Sequence, residues 1–393
     1  MTKAQTLTRL RLLGFNVPEI IVIKHDEILL SGDQNFRAKL ELSLSSLNIT
    51  EAIKAARDFI STVNLNVQHL PSKFYAVRSS SNLEDSDHSS FAGIFATKLF
   101  VHGDLSLAIR EVWFSLFSEK AIAYYQLRGL RLSSLKMDII VQEMIDGEKS
   151  GVMFQENPIK KSAEEIIVAG LGICEGIVSD ETDTDQYVME NDEIKSWEIN
   201  EKKYCLRFNG LSVSKNFVSD ELKCIPVLSL KEIERLMTLS FTLRSYFDYP
   251  LDIEFSFKAE ELFILQVRPI TARSNIPRKL PLNTIADVFT LQGIPCSGGV
   301  VEADCIHIAD VQEGEFPLGK IIIANKAAPL WGHLLTGISG IILESGSILS
   351  HAALIARELG IPCIIGVKNA SRTLKTGTKV FMDGSRGQIR VMD

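Results

Sequence analysis

The stretch "ILESGSILSHAALIARELGIPCIIG", residues 342–366, decides how the C-terminal part of the chain is read. An apolar strand runs into the polar turn "ESGS", and His351 then stands at the head of a helix predicted over residues 352–359. Leu354, Ile355 and Leu359 of that helix are expected to face a core, and Arg357 and Glu358 water. Gly360 is placed to stop the helix and Pro362 follows it. A helix start offers unpaired N–H donors and the positive end of the dipole, which favours a negative charge such as a phosphoryl group on imidazole. Histidine is mostly neutral at pH 7, so its ring nitrogen is a competent nucleophile. A histidine that only caps a helix would satisfy the same pattern.

Bulk properties narrow the choices. The 393 residues suggest two or three domains, and 46% hydrophobic content suffices for packed cores. A net charge of -7 argues against nucleic acid as a partner, because duplex binding needs a basic face. No apolar run has the length of a membrane span, and the N-terminus lacks the apolar core of a secretory signal. The six cysteines are scattered without a CxxC pair, as expected of reduced thiols in a cytoplasmic protein.

The clearest break along the chain is "TARSNIPRKLPLNTIADVF", residues 271–289, with two prolines and little periodicity. It predicts a larger α+β domain at 1–273, a linker at 274–289 and a small β-rich domain at 290–393. In the larger part, helices are expected over 5–13 and 51–62. A further long helix is expected in "LAIREVWFSLFSEKAIAYYQLRG", ending at Gly129. "FYAVRSSS", "MDIIVQEMI", "SGVMF", "EEIIVAG", "LDIEFSF" and "ELFILQVRPI" read as strands.

Two stretches have the chemistry to hold a phosphoryl donor. In "KFYAVRSSSNLEDSDHSSFAGIFAT", residues 73–97, Arg78 ends an apolar strand, where a guanidinium can fork onto phosphate oxygens. Ser79, Ser80 and Ser81 add hydroxyls, and "SSFAG" can form a flap bending at Gly93. In "LDIEFSFKAEELFILQVRPIT", residues 251–271, Asp252 and Glu254 share one face of a strand, and Gln266 and Arg268 share one face of the returning strand. Two carboxylates, an amide oxygen and a guanidinium then converge, a set suited to Mg²⁺ bridging nucleotide phosphates. Each stretch alone is also compatible with an ordinary polar hairpin.

Taken together, "GSILSHAALIARELGIPCIIGV", "LQGIPCSGGVVEA", "APLWGHLLTGISGIILESGS" and "VFMDGSRGQIRV" resemble, in order, the mobile phosphohistidine domain of the phosphoenolpyruvate synthase and pyruvate phosphate dikinase family. The two phosphate-holding stretches resemble that family's ATP-grasp nucleotide domain. The resemblance implies an α+β chain: an ATP-grasp-type nucleotide-binding domain followed by a small swivelling β/β/α phosphohistidine domain. It further implies that His351 carries the phosphoryl group, that Arg78 and Arg268 contact phosphate, and that Glu254 and Gln266 bind Mg²⁺, with Asp252 beside them. "IIVQEMIDGEKSGVMFQENP", residues 139–158, is similar to the family's interdomain hinge, which implies Gln142, Glu143 and Met144 near adenine. Lys3 aligns with a phosphate-contacting lysine, although the glycine pair usual before it is absent. Other departures are extra residues after Gly172, Asp180 in place of a common glycine, Thr184 in place of a common proline, and Ile94 where a polar residue is usual.

The resemblance therefore implies an ATP- and Mg²⁺-dependent phosphotransferase of the dikinase type, moving phosphate from ATP through His351 to a small-molecule acceptor and releasing AMP and phosphate. The family's pyruvate-binding barrel has no counterpart, since about 40 residues follow His351. The acceptor is then bound by a separate subunit, the favoured reading, or in the cleft between the two domains. Two alternatives stay open: a ligase or direct kinase that forms ADP without a phosphohistidine, and a non-catalytic regulatory relative.

Overall fold

The computed structural model describes residues 1–393 apart from 46–48, 66, 68–72, 83–84, 87–88, 91–94, 119–120, 123–124, 126–130, 132–133, 159–161, 180, 211, 271–290, 312–316, 327–336, 347, 349–352, 354–355, 358 and 393. Residues 91–93 of the flap, Ile94, the linker and His351 itself thus lie outside the described residues.

Helix α1 (Lys3–Leu12) opens the chain behind a Thr2–Gln5 capping box. It buries Ala4, Leu7 and Leu10. A four-stranded antiparallel sheet comes next, ordered β1 (Ile20–Ile23), β6 (Met137–Glu143), β2 (Tyr75–Ser81), β5 (Thr97–Val101). Helices α2 (His25–Ser31), α3 (Gln34–Ser45), α4 (Ile49–Thr62) and α5 (Ser106–Phe114) accompany it. Ala55, Ala56 and Phe59 of α4 and Trp113 of α5 pack with Val77, Ile139 and Val141 in one core. β3 (Asp85–Ser86) and β4 (Ser89–Ser90) form a short separate ribbon.

The helix expected over 107–129 is interrupted: Ala121, Ile122 and Tyr125 are helical again, and the expected end at Gly129 lies outside the described residues. The first stretch ends at Phe114, continues as one 3-10 turn over Ser115–Phe117, and stops where Ser118 turns extended at ψ 153°. The Ser118 hydroxyl accepts from the Ala121 N–H, so this serine ends one helical stretch and caps the next.

A six-stranded antiparallel sheet is ordered β10 (Glu193–Glu198), β9 (Thr184–Glu190), β8 (Glu165–Leu171), β7 (Lys149–Phe154), β13 (Leu251–Lys258), β14 (Glu261–Pro269). Between its strands lie the short helix α6 (Cys174–Val178), the ribbon β11 (Tyr204–Phe208) with β12 (Val213–Phe217), α7 (Asp220–Lys223) and α8 (Leu230–Arg244). One face of the sheet buries Met153, Ile167, Tyr187, Ile253 and Phe255 against α1 and α8.

β13 and β14 are joined by Ala259 and Glu260, both in the left-handed region at φ 48° and 64°. That is the geometry of a two-residue hairpin loop, built here without the usual Asn or Gly. The Arg235 guanidinium, donating to the Glu260 carbonyl, helps hold it.

The remaining strands, from β15 (Leu291–Gln292) to β22 (Gln388–Val391), make an eight-stranded mixed sheet. Its centre is parallel: β17 (Val300–His307), β18 (Ile321–Ala324), β19 (Gly340–Leu343) and β20 (Cys363–Ile365). β16 (Ile294–Ser297) and β21 (Lys379–Asp383) flank these antiparallel.

This sheet does not stand apart from the six-stranded one. A single apolar cluster runs from Val152, Phe154, Ile166, Val168 and Ile177 into Ile322, Ile341, Ile348, Ala353, Ala356 and Ile361. Among the described residues, no helix is long and apolar enough to cross a membrane.

Candidate functional site

The hairpin read from the sequence as a ligand platform has the expected register. Asp252 pairs with Arg268 and Glu254 with Gln266, and a bulge comes immediately after Glu254. Cross-strand partners share a face, so all four side chains leave the sheet together. All but Arg268 are largely buried. Arg268 Nε donates to Asp252 Oδ2 at 2.7 Å. The other oxygen, Asp252 Oδ1, is buried without a hydrogen-bond partner. Burial pushes the Asp252 carboxyl up against the pull of Arg268, and the negative charge of Glu254 adds to the rise.

The second sheet delivers Arg78. Its Nη2 donates to Glu254 Oε2 at 3.3 Å, and its Nη1 to the Leu265 carbonyl at 3.3 Å and to Gln142 Oε1 at 3.4 Å. All three bonds are long, which suits a guanidinium that can turn to a better anion. Gln142 Nε2 also donates to the Leu265 carbonyl, at 3.2 Å. The Gln142 side chain thus ties β6 to β14 and braces Arg78. Glu143, next along the strand, points its side chain to the opposite face. Met144 packs with Phe74, Phe100, Ile173 and Leu206 in a small aromatic-rich cluster, an apolar wall of the kind a base could lie on.

Lys3 is the first residue of α1. The neighbouring Ala4 N–H donates to Ser80 Oγ at 3.1 Å, which anchors the start of this helix to β2 two residues beyond Arg78.

One site residue was missed by sequence reasoning. Glu175, in the first turn of α6, is half-buried. Burial raises its carboxyl, Arg78 opposes the rise and Glu254 adds to it, so it belongs to the same charge cluster. An acidic residue at a helix start inside "GLGICEG" was the available signal.

The mobile-domain side also brings a correction. Arg357, expected to face water, turns its guanidinium inward. Nη2 donates to the Ile348 carbonyl at 2.8 Å and Nη1 to the Cys296 carbonyl at 3.2 Å. Its charge is close enough to act on Asp252. Arg357 therefore lies on the side of its domain that faces the hairpin platform, while His351 is outside the described residues.

Among the described residues, no group of three or more His, Cys, Asp or Glu side chains is placed to hold a metal ion. The platform offers a different donor set: one carboxylate, one amide oxygen and an orphaned buried carboxylate oxygen. Mg²⁺ ordinarily takes one or two carboxylates and completes its octahedron with phosphates and water, so the residues present fit it.

Residues 26–284 match the pyruvate phosphate dikinase AMP/ATP-binding domain, and residues 316–387 match the PEP-utilising enzyme mobile domain. The chain is 31% identical over 324 residues to a probable phosphoenolpyruvate synthase of Archaeoglobus fulgidus, covering 80% of this chain and 43% of the relative. It is 30% identical over 364 residues to a probable phosphoenolpyruvate synthase of Methanothermobacter thermautotrophicus, covering 91% of this chain and 52% of the relative. It is also 30% identical over 337 residues to the phosphoenolpyruvate synthase of Pyrococcus furiosus, covering 80% of this chain and 41% of the relative. The chain thus spans about half the length of the curated relatives it matches. With both domain matches in order and the first covering most of the chain, it belongs to the phosphoenolpyruvate synthase and pyruvate phosphate dikinase family, as an α+β protein with an AMP/ATP-binding domain followed by a mobile domain.

Proposed function

We propose that this chain is an ATP-dependent phosphotransferase of the dikinase type, built from a nucleotide domain at 1–273, a linker at 274–289 and a swivelling phosphohistidine domain at 290–393. The observation that carries the reading is the convergence of Arg78, from one sheet, on Glu254 of the hairpin that also presents Asp252, Gln266 and Arg268. Phosphoryl transfer depends on positioning and charge neutralisation more than on covalent chemistry by the protein. In this reading Arg78 leaves Glu254 for a phosphate oxygen when the triphosphate binds. Arg268, held by Asp252, presents its remaining N–H groups to the phosphates, and Lys3 adds a further positive charge. Glu254 and Gln266 would hold Mg²⁺, whose charge would offset that of the phosphates. Glu143 and Met144 border the base, and Gln142 braces Arg78.

The His351 ring nitrogen attacks the β-phosphorus, forming a P–N bond as the bond to the α-phosphate oxygen breaks and AMP leaves. Water takes the γ-phosphate as inorganic phosphate. The phosphoryl group then passes to a small-molecule acceptor, held either by a separate subunit or within this chain. The test is a purified protein incubated with ATP and Mg²⁺. An acid-labile phosphoprotein in wild type that is absent from His351→Ala supports the reading. Equal labelling of the two overturns it.

A further inference from the structure

The six-stranded sheet carries more than the hairpin platform. Followed across its strands, the register joins Gln266 to Glu254, Glu254 to Val152, Val152 to Val168, Val168 to Gln186, and Gln186 to Glu198. These six residues form one row on one face. The platform lies at one end. The middle of the row, Val152 and Val168, is buried in the apolar cluster shared with the C-terminal sheet. At the far end, Gln186 and Glu198 line a cleft of about 350 Å³ closed from the other side by Lys326, Ser345, Gly346 and Ile348. That volume is at the lower end of the roughly 300–1,000 Å³ typical of small-molecule sites, which favour domain interfaces.

The cleft wall is rigid. Asp185 and Lys202 form a wholly buried ion pair at 2.9 Å. Asp185 also accepts from the Asn200 N–H, while Asp183 accepts from the Lys203 N–H. These bonds fix Glu201 and Lys203 at the cleft edge. With neighbouring strands about 4.8 Å apart, Gln186 is roughly 14 Å from Glu254 along the row.

We infer that this cleft is the acceptor site, and that its ligand is a small, hydroxyl-bearing, non-anionic molecule. The inference rests on the phosphohistidine reading above and selects, between its two sources of acceptor, the one within this chain. Three carboxylates, Asp183, Glu198 and Glu201, face two ammonium groups, Lys203 and Lys326, so a bare anion gains little there. Hydroxyl groups can donate to the carboxylates and accept from the lysines. The C-terminal domain lines the cleft with Ser345, Gly346 and Ile348, a few residues before His351 along the chain. In the second step an acceptor hydroxyl oxygen forms a P–O bond, the P–N bond breaks with its electron pair returning to the ring nitrogen, and the hydroxyl proton passes to a cleft carboxylate.

The test is a chase. Full-length protein is charged with ATP labelled at the β-phosphorus, freed of nucleotide, and mixed with a protein-free ultrafiltrate of a cell extract, with its macromolecular fraction, or with pyruvate. The inference predicts discharge by the ultrafiltrate. It predicts that Glu198→Gln and Gln186→Leu charge like wild type but discharge at least about tenfold more slowly. An ultrafiltrate that fails to discharge the protein overturns it, whatever the macromolecular fraction does. Discharge by pyruvate, an anion, overturns it as well. A chain that never takes up label fails one step earlier and overturns the phosphohistidine reading instead.

Discussion

Arg78 and Glu254 come from different sheets and meet at 3.3 Å, both largely shielded from water. The pair is long and poorly compensated, and an arginine held this way is poised for exchange rather than locked. Arg78→Ala is expected to slow phosphorylation of the protein by about 10²–10³-fold, the usual cost of losing one preorganised donor to developing charge. Arg78→Lys should recover little, because an ammonium cannot fork across two oxygens. Single-turnover labelling checks both.

Glu254→Ala has a different signature. It removes a proposed metal ligand and frees Arg78 at once, so the Mg²⁺ concentration giving half-maximal labelling should rise at least about tenfold. A Mg²⁺ titration of the labelling rate reads this, and an unchanged midpoint with a lower plateau would place Glu254 outside the metal site.

Much of this platform was legible in the sequence. Alternation with period two placed Asp252 with Glu254 and Gln266 with Arg268, and the short "AEE" connection set the register between them. The turn type was not legible, because Ala259 and Glu260 adopt left-handed backbone without the residues that announce it. Nor was the membership of Glu175, or the inward turn of Arg357, since both depend on what a distant strand brings alongside. The break at Ser118 was hidden by apolar spacing that continues through it. The row from Gln266 to Glu198 requires the strand order, which local pattern cannot supply.

Arg357 straps the turn before His351 to β16 through two carbonyls. Arg357→Met should leave ATP binding unchanged and slow charging of His351 by roughly 10- to 100-fold, because small misplacements of a reacting group are costly. Calorimetry for nucleotide and labelling for transfer separate the two effects.

The Asp185–Lys202 pair is fully buried, and Lys202 also donates to the Ile225 carbonyl at 2.7 Å. Removing one partner leaves the other charge uncompensated. Lys202→Met should therefore cost about 3–5 kcal/mol in urea unfolding. Asp185→Asn combined with Lys202→Met should cost less than the sum of the two single changes.

Glu175 gives a pH signature. Its carboxyl is raised in the folded state, chiefly by burial. The folded chain then holds this proton more tightly than the unfolded chain does. Stability contributed by the group falls as pH rises from the unfolded carboxylate value through the raised folded one, and stays low above it. Glu175→Gln should raise the melting temperature at pH 7, and the gain should shrink as pH falls toward about 4. A gain independent of pH would remove the titration from the explanation.

The decisive measurement traces the label itself. Wild type and His351→Ala are each given ATP labelled at the β- or the γ-phosphorus, and the protein and the nucleotide products are resolved. Transfer through His351 predicts β-label on wild-type protein only, γ-label in free phosphate, and AMP as the nucleotide product. ADP as the sole product, or β-label persisting on His351→Ala, would refute it.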